Sequence, residues 1–171
     1  MIILGIDPGI AIVGWGVIEY KENRFRTIAY GAITTEAGVD VEVRLQNVYR
    51  ELCEVIEFYH PEEMAVEELF FNTNITTGIA VAEARGVILL AAVEHHVRIA
   101  EYTPLQVKQA VVGYGRAEKN QVMTMVTSLL RLKSVPKPDD TADALAIAVC
   151  HAHTGCSKLS AFYNQKKTRL T

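Results

Sequence analysis

Cysteine is scarce in this chain. Its 171 residues hold Cys53, Cys150 and Cys156, with no C-x-x-C pair among them. An odd count without a framework excludes a disulfide scaffold and suits a reducing cytosol. Long apolar runs are also missing: each is too short or too interrupted to span a bilayer. The first residues carry no cationic flank and no small-residue cleavage site, so no signal peptide is expected. Internal repeats and low-complexity segments are absent, which sets aside solenoids and disordered scaffolds.

What remains is a soluble globular composition, 50% hydrophobic and 22% charged, long enough for one domain with a sizeable core. We expect that domain over residues 1–155, followed by a basic tail over 156–171. The net charge of -3 is unevenly spread. Residues 19–68 carry twelve acids against five bases, residues 98–137 seven bases against two acids, and the tail four bases and no acid. An acidic protein with a basic second half can still present one face to a polyanion, although charge alone is equally satisfied by ordinary solvated faces.

The periodicity gives the order of elements. Residues 2–6 are a continuous apolar run, hence a core strand over 2–7. The β-branched stretches over 11–20 and 24–35, joined by the short KENR turn, read as hairpin partners. From 41 to 59 the apolar period becomes helical, and His60-Pro61 ends the helix. A short strand is predicted at 64–66, a helix rich in Gly and Ala at 76–95, and a strand at 97–102. Thr103 followed by Pro104 has the form of an N-cap and first helical residue, opening a short helix to 112. Helices over 117–132 and 139–153 follow, with SVPKP between them. The pattern β-β-β-α-β-α-β-α-α-α implies an α/β fold with a five-stranded mixed sheet flanked by helices.

Asp7 closes the first strand and Glu67 directly follows the fourth. If these strands are parallel neighbours, the two acids meet at the carboxyl ends, where α/β sheets place ligand sites. Asp140 and Asp143, three apart, share one face at the start of the last helix. Four converging carboxylates would need protonation or a cation, and an all-oxygen set suits Mg²⁺ or Mn²⁺ rather than zinc. Two such ions about 3.5–4 Å apart serve phosphodiester hydrolysis. Taken singly, Asp139 or Asp140 reads better as an N-cap and Glu67 better as a surface acid, a reading that is weaker for Asp7, behind a core run, and for Asp143, in an apolar one.

The blocks GIDPG, AVEELFFNTN, ARG, QVKQAVVGYGRAEKNQV and DDTADALAIA, in this order and spacing, resemble the RuvC family of Holliday-junction resolvases. The resemblance covers about residues 1–153. It implies a ribonuclease-H-like fold and a homodimer that resolves four-way DNA junctions by paired symmetric nicks. It further implies Mg²⁺, two ions per site with Mn²⁺ able to substitute, and cooperation with a branch-migration motor, RuvA-RuvB. The metal-binding acids it implies are Asp7, Glu67, Asp140 and Asp143, with Asp139 next to the matched position. Lys108 and Lys119 match active-site lysines, and Phe70 matches a DNA-stacking aromatic. A short thymine-centred cleavage preference is implied as well; the tail carries no matched role.

The residue chemistry agrees. Lys119 near a scissile phosphate would offset developing charge, and Lys108 reads as a phosphate contact. Of Phe70 and Phe71, one is expected outward for base stacking and the other inward; Phe70 outward is our assignment, with the reverse left open. The small-residue helix is either the dimer interface or an inner helix on the sheet, and a bulky charge at Ala84 is the test of the former. The run CHAHTGC has zinc-ligand residue types but no standard spacing. Competing readings are a nucleotide-binding module, another nuclease of the same fold and a non-catalytic junction binder.

Overall fold

A computed structural model of the chain describes residues 1–69 and 75–155, with side chains of the second segment described from Gly78 onward. Phe70, Phe71 and the basic tail therefore lie outside the described residues. The elements are β1 (Ile2–Asp7), β2 (Ile12–Lys21), β3 (Arg24–Thr34), α1 (Val41–Tyr59), β4 (Glu63–Glu67), α2 (Ile75–Glu94), β5 (Arg98–Tyr102), α3 (Pro104–Val112), α4 (Lys119–Leu129) and α5 (Asp139–Gly155). The order is the expected one. Two boundaries differ in ways that matter. Glu67 is the last residue of β4 rather than the one after it. Helix α4 begins at Lys119, because Glu118 and Gln121 form a capping box just before it.

The five strands form one sheet in the order β3-β2-β1-β4-β5. β1 pairs antiparallel with β2 and parallel with β4, so it is the central strand. Its side chains alternate between two packed layers. Ile3 joins Ile18, Ala65 and the apolar residues of α3, α4 and α5. Leu4 and Ile6 join Val13, Val17, Met64, Val66 and the inner faces of α1 and α2. Burial on both faces is why β1 reads as an uninterrupted apolar run.

Helix α5 lies unusually close to the sheet. Gly5 and Gly16 face each other across the β1–β2 ladder, where α5 crosses. A Cβ on Gly5 would overlap the Ala144 carbonyl oxygen, and one on Gly14 would overlap that of Asp140. On Gly16 it would come within 2.6 Å of the Leu145 side chain. These absences of side chain let a helix backbone rest on strand backbone. At its far end α5 is pinned by a buried polar link. The Tyr102 hydroxyl lies 2.7 Å from His151 Nδ1, and His151 Nε2 lies 2.6 Å from Glu63 Oε2. Glu63 in turn meets Arg98 at 2.5 Å.

Helix α2 has one face in the core and one outside. Ala84, Ile88, Ala91 and Ala92 are wholly buried against the core, whereas Ile79, Leu90 and Val93 are more than half exposed. Gly86 opens onto empty space on the outer side. Ala84 thus belongs to the core, and a bulky charge there tests folding rather than dimer formation. The outer stripe is the face to test instead.

Candidate active site

The β1–β4 register pairs Gly5 with Ala65 and Ile6 with Val66, so Asp7 and Glu67 follow as neighbours on the next rung. By strand alternation both point to the α5 side, as Gly5 and Ala65 do. On the other flank Asp7 is opposite Gly14. The first turn of α5 lies over Gly14 and carries Asp139 and Asp140, with Asp143 one turn on. Both candidate N-cap acids are thus inside the helix. The sequence-predicted acids come from β1, β4 and α5 to one end of the sheet.

Their electrostatics show the crowding. Burial, then the charges of Asp143, Glu67 and Asp140, push the Asp7 carboxyl up to about 8, with Lys119 opposing. Glu67 is raised by burial and by Asp143, with Lys108 opposing. Asp143 is raised mainly by burial; its hydrogen bond to Lys119 works the other way. Lys119 Nζ stands 3.0 Å from Asp143 Oδ2 and 3.7 Å from Asp139 Oδ2. Burial disfavours the Lys119 ammonium, but Asp143 and the neighbouring acids outweigh it and raise its pKa. Asp139 is turned toward Lys137, 2.6 Å away, which lowers its pKa.

A cavity of about 240 Å³ opens over this end, lined by Asp7, Glu67, Lys108, Lys119 and Asp143 with apolar walls that include Val107. Asp140 is not on its wall, yet it acts electrostatically on both Asp7 and Asp143. Among the described residues, no three His, Cys, Asp or Glu side chains stand as a ready metal-binding group. The donor set nonetheless fits a hard cation: half-buried carboxylate oxygens, with burial and then neighbouring acids raising Asp7, Glu67 and Asp143. A lysine now supplies the positive charge.

Sequence reasoning missed Gly5, Gly14 and Gly16 as determinants of the site. Their signal was small residues at alternate positions in two apolar strands. The histidines of CHAHTGC are otherwise engaged: His151 between Tyr102 and Glu63, His153 on the Ala110 carbonyl.

The family model for "Crossover junction endodeoxyribonuclease RuvC" matches residues 3–151. A protein of that description from Alkaliphilus oremlandii is 60% identical over 155 residues, covering 91% of this chain and 94% of its own. One from Clostridioides difficile is 60% identical over 154 residues, covering 90% and 91%. Among solved structures, Thermus thermophilus RuvC in complex with Holliday junction substrate superposes with a TM-score of 0.87 at 38% identity, covering 91% of this chain and 94% of that one. The yeast mitochondrial resolvase Ydc2 superposes at 0.65 with 14% identity, covering 97% and 85%, a likeness of fold alone.

Proposed function

The chain belongs to the RuvC family of crossover junction endodeoxyribonucleases, and we infer from this that it resolves four-way DNA junctions, nicking opposed strands by phosphodiester hydrolysis. The observation that carries the reading is the meeting of Asp7, Glu67, Asp140 and Asp143 at one sheet end, in a chain 60% identical to named resolvases. The test is cleavage of a synthetic four-way junction in Mg²⁺ beside a plain duplex of the same sequence. Paired nicks in the junction with little cutting of duplex are expected; equal cutting of both would remove the junction assignment.

We assign Asp7, Glu67, Asp140 and Asp143 to hold Mg²⁺, two ions per site, with Mn²⁺ able to replace it. Bound there, the ions would activate the attacking water and neutralise the leaving oxygen. The chain's own groups do the rest. Lys119, on the cavity wall against Asp143, is placed to offset charge on the transferring phosphoryl group. Lys108, on the same wall, takes a neighbouring phosphate. Phe70 is assigned to stack on an unpaired base. Residues 1–155 form the nuclease domain, and 156–171 the basic tail. Among the described residues no helix is long and apolar enough to cross a membrane.

Two equivalent strands must be cut, so a two-fold dimer is the economical arrangement. The outer stripe of α2, Ile79, Gly86, Leu90 and Val93, is spaced as one helical face and is our interface. Leu90→Glu is expected to give a folded monomer by analytical sedimentation; a dimer unchanged at micromolar concentration would rule this face out. Docking of the RuvA-RuvB motor is taken over from the family.

Burial of like charges also sets a pH dependence. With cations chelated, folded Asp7 keeps its proton to about pH 8, whereas an unfolded Asp releases it near about 4. The folded state therefore binds more protons between those values, and stability falls as pH rises through that window. Glu67 and Asp143, also raised, act with the same sign. Scanning calorimetry in chelator should show the melting temperature dropping from pH 5 to pH 8, with Mg²⁺ restoring most of the loss. A melting temperature indifferent to both pH and Mg²⁺ would contradict the cluster.

A further inference from the structure

A second cavity, of about 370 Å³, lies at the same end of the sheet but on the α1 side, with Val39 and Val43 on its wall beside Thr35, Arg44, Asn47 and Arg50. It is tied directly to the loop that leaves Asp7. Thr35 N donates to the Ala11 carbonyl at 3.0 Å, and Thr35 Oγ1 to that of Ile10 at 2.5 Å. Arg44 Nε donates to the same Thr35 oxygen at 2.8 Å. Arg50 Nη2 donates to Asn47 Oδ1 at 2.8 Å, while Asn47 Nδ2 donates to Glu51 at 2.8 Å. The Asn47 amide thus bridges Arg50 and Glu51.

Two facts single this cavity out. Residues 19–68 hold twelve acids and only five bases, so carboxylates are plentiful. Yet among the described residues neither Arg44 nor Arg50 forms an ion pair. Both guanidinium groups are steered by neutral oxygens and keep donors for something else. Two planar forks beside hydroxyls and an amide suit a phosphodiester oxygen pair. Glu36, also in the lining, disfavours a small, multiply charged anion more than a singly charged backbone phosphate. The position is also apt. Ile10 lies three residues beyond Asp7, at most about 11 Å of chain, and a strand advances about 3.4 Å per nucleotide.

We propose that this cavity is a second phosphate site, which grips the DNA backbone of the junction arm adjoining the cut strand, within about five nucleotides of the cut. The proposal rests on the junction-nuclease reading above. Through Thr35 the same contact braces the loop behind Asp7, so grip and acid placement share one hydrogen-bonded chain.

The test uses the full-length chain carrying Asp7→Asn, so that the junction stays whole, with and without Arg44→Gln and Arg50→Gln together. Junction affinity is measured across a salt series. The double change should weaken binding about tenfold near 0.1 M salt and lower the slope of log affinity against log salt by about one to two. Ethylation interference should show one phosphate near the cut whose blocking weakens the parent and not the double variant. Arg44→Lys with Arg50→Lys should keep most of the salt slope, which separates lost charge from a disturbed fold. An unchanged slope and interference map, or an effect confined to inorganic phosphate, would overturn the site. A wild-type chain that neither binds nor cuts the junction would instead sink the nuclease reading on which the site depends.

Discussion

Asp7→Asn should lower junction cleavage by about a thousandfold or more, roughly 4 kcal/mol of transition-state stabilisation, while junction affinity stays within a few-fold. Asparagine keeps the shape of the side chain, so the strand and its neighbours need not move. It loses the charge, and with it the central member of the four-acid set. Binding survives because the groups that attract DNA are the cations, Lys108 and Lys119 on the cavity wall among them. Removing a negative charge next to them favours a polyanion if anything. The same change relieves repulsion with Glu67, Asp140 and Asp143, so the chelated variant should melt higher than wild type near pH 8. A time course with labelled junction, run beside a gel shift, reads both quantities. Cleavage at the wild-type rate would show that the acids are misassigned.

Gly14→Ala should cost about a hundredfold in cleavage without touching any charged group. Its added methyl would overlap the Asp140 carbonyl oxygen. That neighbour is helix backbone, which cannot rotate aside as a side chain can. The start of α5 must therefore lift, and Asp140 and Asp143 move with it relative to Asp7 and Glu67. A displacement near 1 Å at reacting groups typically costs about that much in rate. Overpacking should also reduce stability by about 1–3 kcal/mol. Measuring cleavage well below the melting temperature separates the two effects. Wild-type cleavage by a folded Gly14→Ala protein would mean that α5 tolerates the shift and that the acids need no such close seat.

Much of this was legible beforehand, and for physical reasons. Element order follows from period: two for the hairpin strands, helical for 41–59, and Thr103-Pro104 marks a helix start through its own hydrogen bond to Gln106. Pairing order is different, because it is a property of distant strands; that β1 lies between β2 and β4 was an assumption until the register was seen. Asp7 stood out because a carboxylate at the end of a core strand is costly unless it has a partner or a task, whereas Glu67 and Asp140, each alone, read better as a surface acid and an N-cap. The glycines did not stand out, since glycine in a strand serves bulges, bends and close approaches alike. Nor did the two faces of α2, a run apolar nearly all round: Ala84, Ile88, Ala91 and Ala92 face the core, while Ile79, Leu90 and Val93 face outward. The register of DALAIA within the family resemblance singles out Asp140 over Asp139, and in the structure Asp139 pairs with Lys137 two residues away while staying 3.7 Å from Lys119.

The link between His151 and Glu63 gives α5 a mechanical character. The helix is anchored to β4 at that end, and Asp143 rides eight residues, about 12 Å, back along it. There it stands over Asp7 and Glu67, and that end of α5 is held in turn by the seat of its backbone on Gly14 and by the Thr141 hydroxyl, which donates to the Gly31 carbonyl at 3.1 Å. The helix behaves as a beam clamped at both ends. How far apart the acids ride is then set partly by the stiffness of the His151 clamp, so the spacing of the cluster has a tuning point that no substrate atom needs to reach.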